Sequence, residues 1–477
     1  MLFADLATKG IAFGILVLLT FLLQPSELGK YNALLTAITS LYGMSGLGVG
    51  MVLQRESAKH LMQENERISE LIPVGLLAMA VTMGFLILIF WIFHDTLSQW
   101  VFTGMDSNLI VWIPILAVLY FMVQSPLTLM LGLGQFKLYA YRNLVEVIIT
   151  GISVLIGGYF WHLQGLMYGL LGSYIINALI VWLMLKRLFL LAQIKLWLKN
   201  IGVNASRLLR QGIPYFLGNT FVGAVGNIIL VGLFSSHIGY EELGFLRVGL
   251  SLSAILLVVP NAAKTVTISF IAKHGQDSTR LKSIQIRYLF SSIVLSTILM
   301  ISAIVPVVTL LFGDAYMAGI QVYTLVLLIQ VFFSMQQILN SFLAGSGQLL
   351  FSGLINTIVS LLYIVLAFIL IPIMGIKGYY IAFGLSYFLG LVVFIIRDLS
   401  GSSYADKPSI LTFLLYSLFV LVLTFGIVSF GMFWWTSVLL GVLALFYALA
   451  CIWFTFNHEE KLWFRQLLER RSILPTR

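Results

Sequence analysis

The sequence predicts an all-α polytopic membrane protein of about 14 transmembrane helices, and three observations lead to that fold class. Of the 477 residues, 60% are hydrophobic and only 9% are charged, whereas a soluble domain carries roughly 25% charged residues. Apolar runs of about 20 residues, the length that crosses a bilayer, recur along the chain. Lysine and arginine are concentrated in alternate loops between these runs. A soluble fold is therefore excluded.

The apolar runs define the predicted spans, numbered 1 to 14 in chain order. Span 1 begins close to Met1 without a preceding basic region, which predicts a retained helix and not a cleaved signal peptide. The spans cover residues 3–23, 31–53, 71–93, 108–133, 143–161, 165–185, 211–234, 243–271, 288–312, 320–345, 350–372, 377–396, 409–431 and 434–456.

The placement of basic residues predicts the orientation of the chain. Of the 27 Lys and Arg residues, 22 lie in the tail and in the loops that follow spans 2, 4, 6, 8 and 12. Only Lys30 and Lys377 lie in the opposite loops. Basic loops stay on the cytoplasmic side, so both termini are predicted to be cytoplasmic and the number of spans even. We interpret the net charge of +9 as this topology signal, with no nucleic-acid partner.

An internal repeat predicts how the spans are arranged. Polar and glycine positions recur at a fixed offset of 213 residues, for example Gln124 with Gln337 and Gly165 with Gly378. Earlier in each copy the offset drifts slightly, so Gly29 matches Gly244. Each copy has six spans and therefore inserts with the same orientation. We predict two parallel six-helix repeats that form two lobes around a central cavity, plus two C-terminal helices.

The repeat and the composition together predict five segments. A basic, amphipathic stretch joins the two copies and is expected to lie on the cytoplasmic face as a helix. The segments are an N-terminal six-helix lobe (1–188), a cytoplasmic amphipathic linker helix (189–208), a C-terminal six-helix lobe (209–397), an additional helix pair, spans 13 and 14 (398–456), and a basic cytoplasmic tail (457–477).

Several short motifs are distributed along spans 1 to 12. They are 27–31 (Glu-Leu-Gly-Lys-Tyr), Gly43, Gly46, Gly48, Gly50, Ile213, Pro214, Gly244, Pro260, 312–314 (Phe-Gly-Asp) and 344–348 (Ala-Gly-Ser-Gly-Gln). In their order and spacing these motifs resemble the polysaccharide transporter branch of the multidrug/oligosaccharidyl-lipid/polysaccharide exporter superfamily, which includes the O-antigen flippases.

The resemblance implies a function and a location. A protein of this family is expected to be a flippase that moves undecaprenyl-pyrophosphate-linked oligosaccharide across the bacterial cytoplasmic (inner) membrane by alternating access, for surface polysaccharide biosynthesis. Its expected partners are that substrate, membrane lipids, and the polysaccharide polymerase and chain-length machinery, with the protein itself a monomer. The alternative is an ion-coupled exporter of drugs or metabolites on the same fold.

Basic residues inside the spans are the first candidates for substrate binding. Arg247 and Lys264 both lie in span 8, where a charge at mid-membrane costs about 2.5–3.5 kcal/mol on insertion scales. They are expected to face a wet cavity as counter-charges for a pyrophosphate, or to snorkel to the interface. Lys9, one turn after Asp5, is either a cavity charge or half of an interfacial ion pair. Arg55, at the inner end of span 2, is either a cavity charge or a topology charge.

Polar residues in the spans supply the remaining candidates. Asn219 and Asn227 of span 7, eight residues apart, are predicted to share a helix face, and Asn261 lies in span 8. These side chains either bind sugar hydroxyls or join helices to each other. Glu146 of span 5 is either paired with Arg142 one turn away or is an ion-coupling site.

No sequence motif indicates catalysis or a cofactor. The chain has no phosphate-binding loop of the ATPase type, no His/Cys metal cluster and no nucleophile motif. We therefore predict a transporter that is not an enzyme and uses no cofactor, driven by an ion gradient, a membrane potential or removal of the product.

Overall fold

The computed structural model describes residues 2–60, 65–191, 194, 196–257, 279–345 and 349–400, together with the single residues 442 and 446. Span 13, the rest of span 14 with Cys451, the tail, Lys264 and Asn261 lie outside the described residues. The described residues fall into two compact units. The first combines the chain up to Ser251 with Gly353–Ser386, and the second combines Leu252–Ser352 with the chain from Tyr387 onward.

All regular elements in the described part of the chain are helical. The first half contains α1 (Leu2–Leu22), α2 (Pro25–Ser45), α3 (Val49–His60), α4 (Asn65–Ile92), α5 (His94–Trp100), α6 (Ser107–Ile110), α7 (Trp112–Gly132) and α8 (Phe136–Leu191). The second half contains α9 (Ile201–Phe216), a π turn (Leu217–Phe221), α10 (Val222–His237), α11 (Tyr240–Leu256), α12 (Thr279–Ser302), α13 (Ile304–Leu311), a 3-10 turn (Asp314–Gly319), α14 (Ile320–Gly345), α15 (Leu349–Met374) and α16 (Ile376–Ser400).

Helix length and composition agree with a multi-pass membrane protein. Among the described residues, six helices are long and apolar enough to cross a bilayer, or eight if each of two bent helix pairs counts as one span. Two shorter apolar helices cover Leu6–Leu22 and Val222–His237. Large apolar side chains such as Val81, Phe85 and Ile156 are exposed on the helix surfaces, as expected where the surrounding solvent is lipid.

Span 2, predicted as one helix over residues 31–53, is broken in the structure. The pair α2 and α3 bends by 59°. Leu47 and Gly48 between them have positive φ angles of 41° and 75°, a region that side-chain-bearing residues seldom occupy. The apolar composition predicts that this segment is immersed in the membrane, but hydropathy carries no information about a local change in backbone angle.

Two glycine-based hairpins have the same construction. In α8, a turn at Trp161 and His162 (φ 48°) lets the helix fold back, and a Cβ at Gly165 would lie 1.8 Å from the carbonyl oxygen of Gly157. Between α15 and α16, Gly375 has φ 60°. A Cβ at Gly378 would lie 2.2 Å from the carbonyl oxygen of Leu370. Neither Gly165 nor Gly378 leaves room for a side chain, so the helices of each hairpin pack backbone against backbone.

The amphipathic helix predicted over 189–208 begins later than expected. Residues 196–200 are not helical, Asn200 has φ 51°, and α9 begins at Ile201 and continues to Phe216. The backbone N–H of Trp197 donates to the carbonyl oxygen of Ser69 at 3.0 Å. This segment therefore pairs with the start of α4 and does not close a helical turn of its own. The structure describes span 8, predicted over 243–271, as far as Leu257.

The second unit is built around α14, in which most of the described polar side chains are buried. Asn340 accepts a hydrogen bond at its Oδ1 from Ser352 Oγ at 2.9 Å. Tyr323 donates through its hydroxyl to the carbonyl oxygen of Tyr316 at 2.9 Å and fixes the 3-10 turn to α14. A T-shaped contact between Phe332 and Phe388 joins α14 to α16. Asn340, Ser352 and Tyr323 therefore satisfy their buried polar groups within this unit.

Candidate functional site

Polar side chains join α3 to α9, and we call Arg55, Glu56, Arg207 and Gln211 the α3–α9 cluster. Glu56 is 3% exposed, and its Oε2 accepts a hydrogen bond from Arg207 Nη2 at 3.0 Å. Arg55 Nη2 lies 3.4 Å from Glu56 Oε1 and 3.4 Å from Gln211 Oε1. Arg55 itself is 67% exposed. One carboxylate thus holds two guanidinium groups, and the accessible Arg55 can bind an anion.

Close backbone contact brings α3 and α9 together beside this cluster. A Cβ at Gly48 would lie 2.1 Å from the carbonyl oxygen of Gly212, and one at Gly212 would lie 2.7 Å from the carbonyl oxygen of Leu47. Only glycine at both positions permits such an approach. The sequence therefore positions the cluster through two glycines, one of which also supplies the break in span 2.

Arg247 lies on α11, which crosses α2 at a second pair of glycines. A Cβ at Gly29 would lie 1.7 Å from the carbonyl oxygen of Tyr240. Conversely, a Cβ at Gly244 would lie 2.0 Å from the carbonyl oxygen of Pro25. Arg247 follows one turn later, is half-buried, and interacts electrostatically with the buried Tyr31 of α2. Part of its guanidinium thus faces protein rather than lipid.

Glu146 forms the local pair that its spacing predicted. Arg142 Nη1 donates to Glu146 Oε2 within α8, and Gln124 Nε2 of α7 donates to Glu146 Oε1 at 3.1 Å. Arg142 is 1% exposed, so the ion pair is buried in the helix bundle. Both carboxylate oxygens are engaged, and the group joins α7 to α8. A role of Glu146 in ion coupling stays a prediction.

The remaining candidates are more scattered. Lys9 is half-buried on α1, and Asn227 is exposed on α10. Asn219 lies in the π turn, so the regular α-helical spacing that predicted a shared face for Asn219 and Asn227 does not hold there. The structure thus brings Arg55, but none of these three, into the α3–α9 cluster. The described residues also contain no group of three or more His, Cys, Asp or Glu side chains that could hold a metal ion.

Sequence reasoning missed three members of the cluster. Glu56, Arg207 and Gln211 were not candidates, because Arg207 counted only as a topology charge and the Glu56–Arg207 contact joins residues 151 positions apart. One signal was available: Glu56 is a carboxylate close to an apolar span, and such a group needs a partner when buried.

Solved structures share this fold. The lipid II flippase MurJ in an inward closed conformation matches with a TM-score of 0.72 at 14% identity, covering 98% of this chain and 99% of that chain. An inward-facing multidrug resistance transporter of the MATE family matches with a TM-score of 0.61 at 15% identity, covering 83% and 96%. No curated protein matches the sequence. The chain therefore has the fold that these solved structures share.

The family follows from the sequence itself. The model of the family described as "Polysaccharide biosynthesis protein" matches residues 1–268. The chain belongs to this family, which confirms the resemblance inferred from the motifs.

Proposed function

We propose that the protein is a flippase that translocates a lipid-linked oligosaccharide, with the sugar attached through an anionic pyrophosphate, by alternating access. The observation that carries the proposal is the α3–α9 cluster in a polysaccharide biosynthesis protein. Arg55 offers an accessible guanidinium, and a guanidinium binds phosphate oxygens in a bidentate manner. Because Glu56 and Gln211 hold Arg55 from the protein side, the arginine loses little freedom when it binds.

Arg247 supports an anionic substrate from a second position. It is half-buried on α11 beside α2, where an arginine without an anionic partner would be costly to keep. We propose that Lys264, on the same predicted span, adds a second positive charge. Lys9, Asn219, Asn227 and Asn261 remain candidates for contacts with the headgroup and the sugar hydroxyls.

Two duplicated contacts support the proposed arrangement of two parallel six-helix repeats. Gly165 with Gly157 and Gly378 with Leu370 make the same close approach at the offset of 213 residues, and both turns have a residue with positive φ. In addition, Gly29 and Gly244, which are equivalent in the two copies, contact each other's helices reciprocally. A two-fold axis between the copies would produce this reciprocity.

The alternative, an ion-coupled exporter of drugs or metabolites, depends on a membrane carboxylate. Glu146 is the candidate, but its two oxygens already accept hydrogen bonds from Arg142 and Gln124. A carboxylate whose two oxygens are already engaged is better suited to joining helices than to binding a coupling ion. We therefore favour the flippase, and we propose a monomer in the bacterial inner membrane with both termini in the cytoplasm, working beside a polysaccharide polymerase and chain-length machinery.

Complementation tests the proposal. Cells that lack the protein should lose surface polysaccharide, and the wild-type chain should restore it. We expect Arg55→Ala, Arg247→Ala and Lys264→Ala each to reduce export at least tenfold at normal membrane levels, with Arg55→Lys intermediate because it keeps the charge but not the bidentate geometry. The matched control is Arg210→Ala, an exposed arginine on α9 outside the cluster. Unchanged polysaccharide in all three alanine variants would contradict the cation sites.

A further inference from the structure

The second copy of the repeat has no counterpart of the buried ion pair between Arg142 and Glu146. At the offset of 213 residues, the positions equivalent to these two carry Ile355 and Val359. Both of these side chains are only 4% exposed. The second copy thus buries two aliphatic side chains on α15 where the first copy buries opposite charges on α8.

One aromatic contact, by comparison, occurs in both copies. Tyr120 of α7 and Tyr174 of α8 have ring centroids 5.5 Å apart. Their equivalents at the same offset, Phe333 of α14 and Tyr387 of α16, have ring centroids 5.3 Å apart. Equivalent helices therefore make the same contact with and without the ion pair, which indicates that the fold does not depend on the pair.

The ion pair is also costly to keep. Arg142 is 1% exposed, and its Nε and Nη2 atoms are buried without a hydrogen-bond partner in the part of the chain that the structure describes. Buried donors that lack a partner destabilise a protein, and aliphatic side chains of similar volume often replace a buried ion pair without loss of stability. A charge inside a membrane span that is costly, and that the packing does not need, indicates a functional site.

The geometry of the guanidinium indicates what this site binds. Nη1 of Arg142 donates to Glu146 Oε2 and lies 3.4 Å from Asn143 Oδ1. The Nε and Nη2 atoms form the side edge of the guanidinium, whose two parallel N–H groups match two oxygens of a single oxyanion. Tyr120 and Tyr139 interact electrostatically with the same guanidinium, and a tyrosine hydroxyl can donate a further hydrogen bond.

We propose that the Nε–Nη2 edge of Arg142 binds an oxyanion of the phosphate class, while Glu146 holds the guanidinium from the Nη1 side. The edge is buried in this structure, so a neighbouring ring moves aside to admit the ligand. Tyr42 is suited to this movement because it is half-buried and contacts Tyr120 edge-on at 5.3 Å. The choice of a phosphate over a carboxylate rests on the proposed function. The site lies within the bundle of the first copy and is additional to the α3–α9 cluster.

A swap of residues between the two copies tests whether the pair serves function or packing. The double variant Arg142→Ile with Glu146→Val gives the first copy the residues of the second. We expect its unfolding midpoint in detergent to equal or exceed that of the wild type, while polysaccharide export falls at least tenfold. The matched control is Ile355→Val with Val359→Ile, which keeps the aliphatic pair of the second copy and should leave export within twofold. A swapped variant that exports within twofold of the wild type would overturn the proposal.

A single substitution keeps the test valid if the swapped variant does not fold. Arg142→Lys retains a positive charge beside Glu146 but has no pair of parallel N–H groups. We expect normal membrane levels and a reduction of export of at least fivefold. Normal export by this variant would show that charge alone is sufficient and would contradict the oxyanion edge.

Binding to the purified protein tests the ligand class separately from transport. In an Arg55→Ala background, which removes the accessible arginine of the α3–α9 cluster, we measure the unfolding midpoint with inorganic phosphate in detergent and with undecaprenyl pyrophosphate in nanodiscs. At least one of these probes should raise the midpoint, and adding Arg142→Ile with Glu146→Val should abolish the rise.

The two probes also distinguish the source of the phosphate. A rise with inorganic phosphate assigns the edge to free phosphate, and a rise with undecaprenyl pyrophosphate alone assigns it to the substrate headgroup. No rise with either probe, or a rise that persists in the swapped variant, would overturn the proposal. If cells without the protein kept their polysaccharide, the proposed function would fail, but the binding of inorganic phosphate would still test the edge.

Discussion

Gly46 and Gly48 stand two residues apart in the break of span 2, yet they should tolerate a methyl group very differently. Gly46 has φ −72°, and the nearest atom to a Cβ there would be Met79 Cε at 3.9 Å. Gly48 has φ 75°, and its Cβ would lie 2.1 Å from the carbonyl oxygen of Gly212. The first site has both the space and the backbone angle for alanine, and the second has neither.

We therefore predict that Gly48→Ala destabilises the protein while Gly46→Ala does not. The left-handed backbone alone costs an alanine about 1–2 kcal/mol, and the clash with Gly212 adds to this because neither backbone can move easily. The thermal unfolding midpoint of the purified protein in detergent measures the difference. Equal midpoints for the two variants would show that α3 and α9 do not approach as closely as the structure indicates.

At the scale of elements, the docking of α9 on α3 depends on the ion pair between Glu56 and Arg207. Removing one partner of a buried pair costs about 3–5 kcal/mol when the other charge is left unpaired. Here the cost should be smaller, because Arg55 stays 3.4 Å from Glu56 when Arg207 is lost, and Arg207, which is 35% exposed, stays partly hydrated when Glu56 is lost.

An exchange of the two charges tests this contact. We predict that Glu56→Arg and Arg207→Glu each lower the unfolding midpoint and polysaccharide export, and that the double variant recovers a substantial part of both. Charge reversal of Arg210, an exposed neighbour on α9, serves as the control and should change neither. A double variant no better than the worse single variant would indicate that the two side chains do not interact.

The sequence predicted the elements better than their breaks and contacts. Apolar runs located the spans because membrane immersion requires about 20 apolar residues in succession. The turn of α8 at Trp161 and His162 falls between predicted spans 5 and 6. The π turn at Leu217–Phe221 and the bend at Gly48 lie inside apolar runs, where hydropathy is blind to backbone angles.

The candidate site was predictable only in part, for a related reason. Arg55 was found because a basic residue at the end of a span is visible in a single segment. Of the partners that orient it, Glu56 is the next residue in the chain, but Gln211 lies 156 positions away and its contact depends on which helices pack together. That packing is set by Gly48 and Gly212, whose importance arises from tertiary contact and not from local sequence.

At the scale of the whole molecule, the asymmetry of charge makes a firm prediction about topology. Twenty-two Lys and Arg residues lie on one side of the predicted membrane boundary and 2 on the other. Moving this many basic residues across the membrane would oppose the bias that sets orientation during insertion. Both termini should therefore be cytoplasmic, and the region after Ser400 should cross the membrane an even number of times.

Reporter fusions after residues 404, 432 and 477 test that prediction in the part of the chain that holds predicted spans 13 and 14. A fluorescent protein, which matures in the cytoplasm, should be active at 404 and 477, and alkaline phosphatase, which needs export, only at 432. Fusions after residue 105, between α5 and α6, supply the control for the outer side. Phosphatase activity at 477 would mean an odd number of spans. The 22 basic residues could then not all lie on the cytoplasmic side, which would contradict the predicted topology.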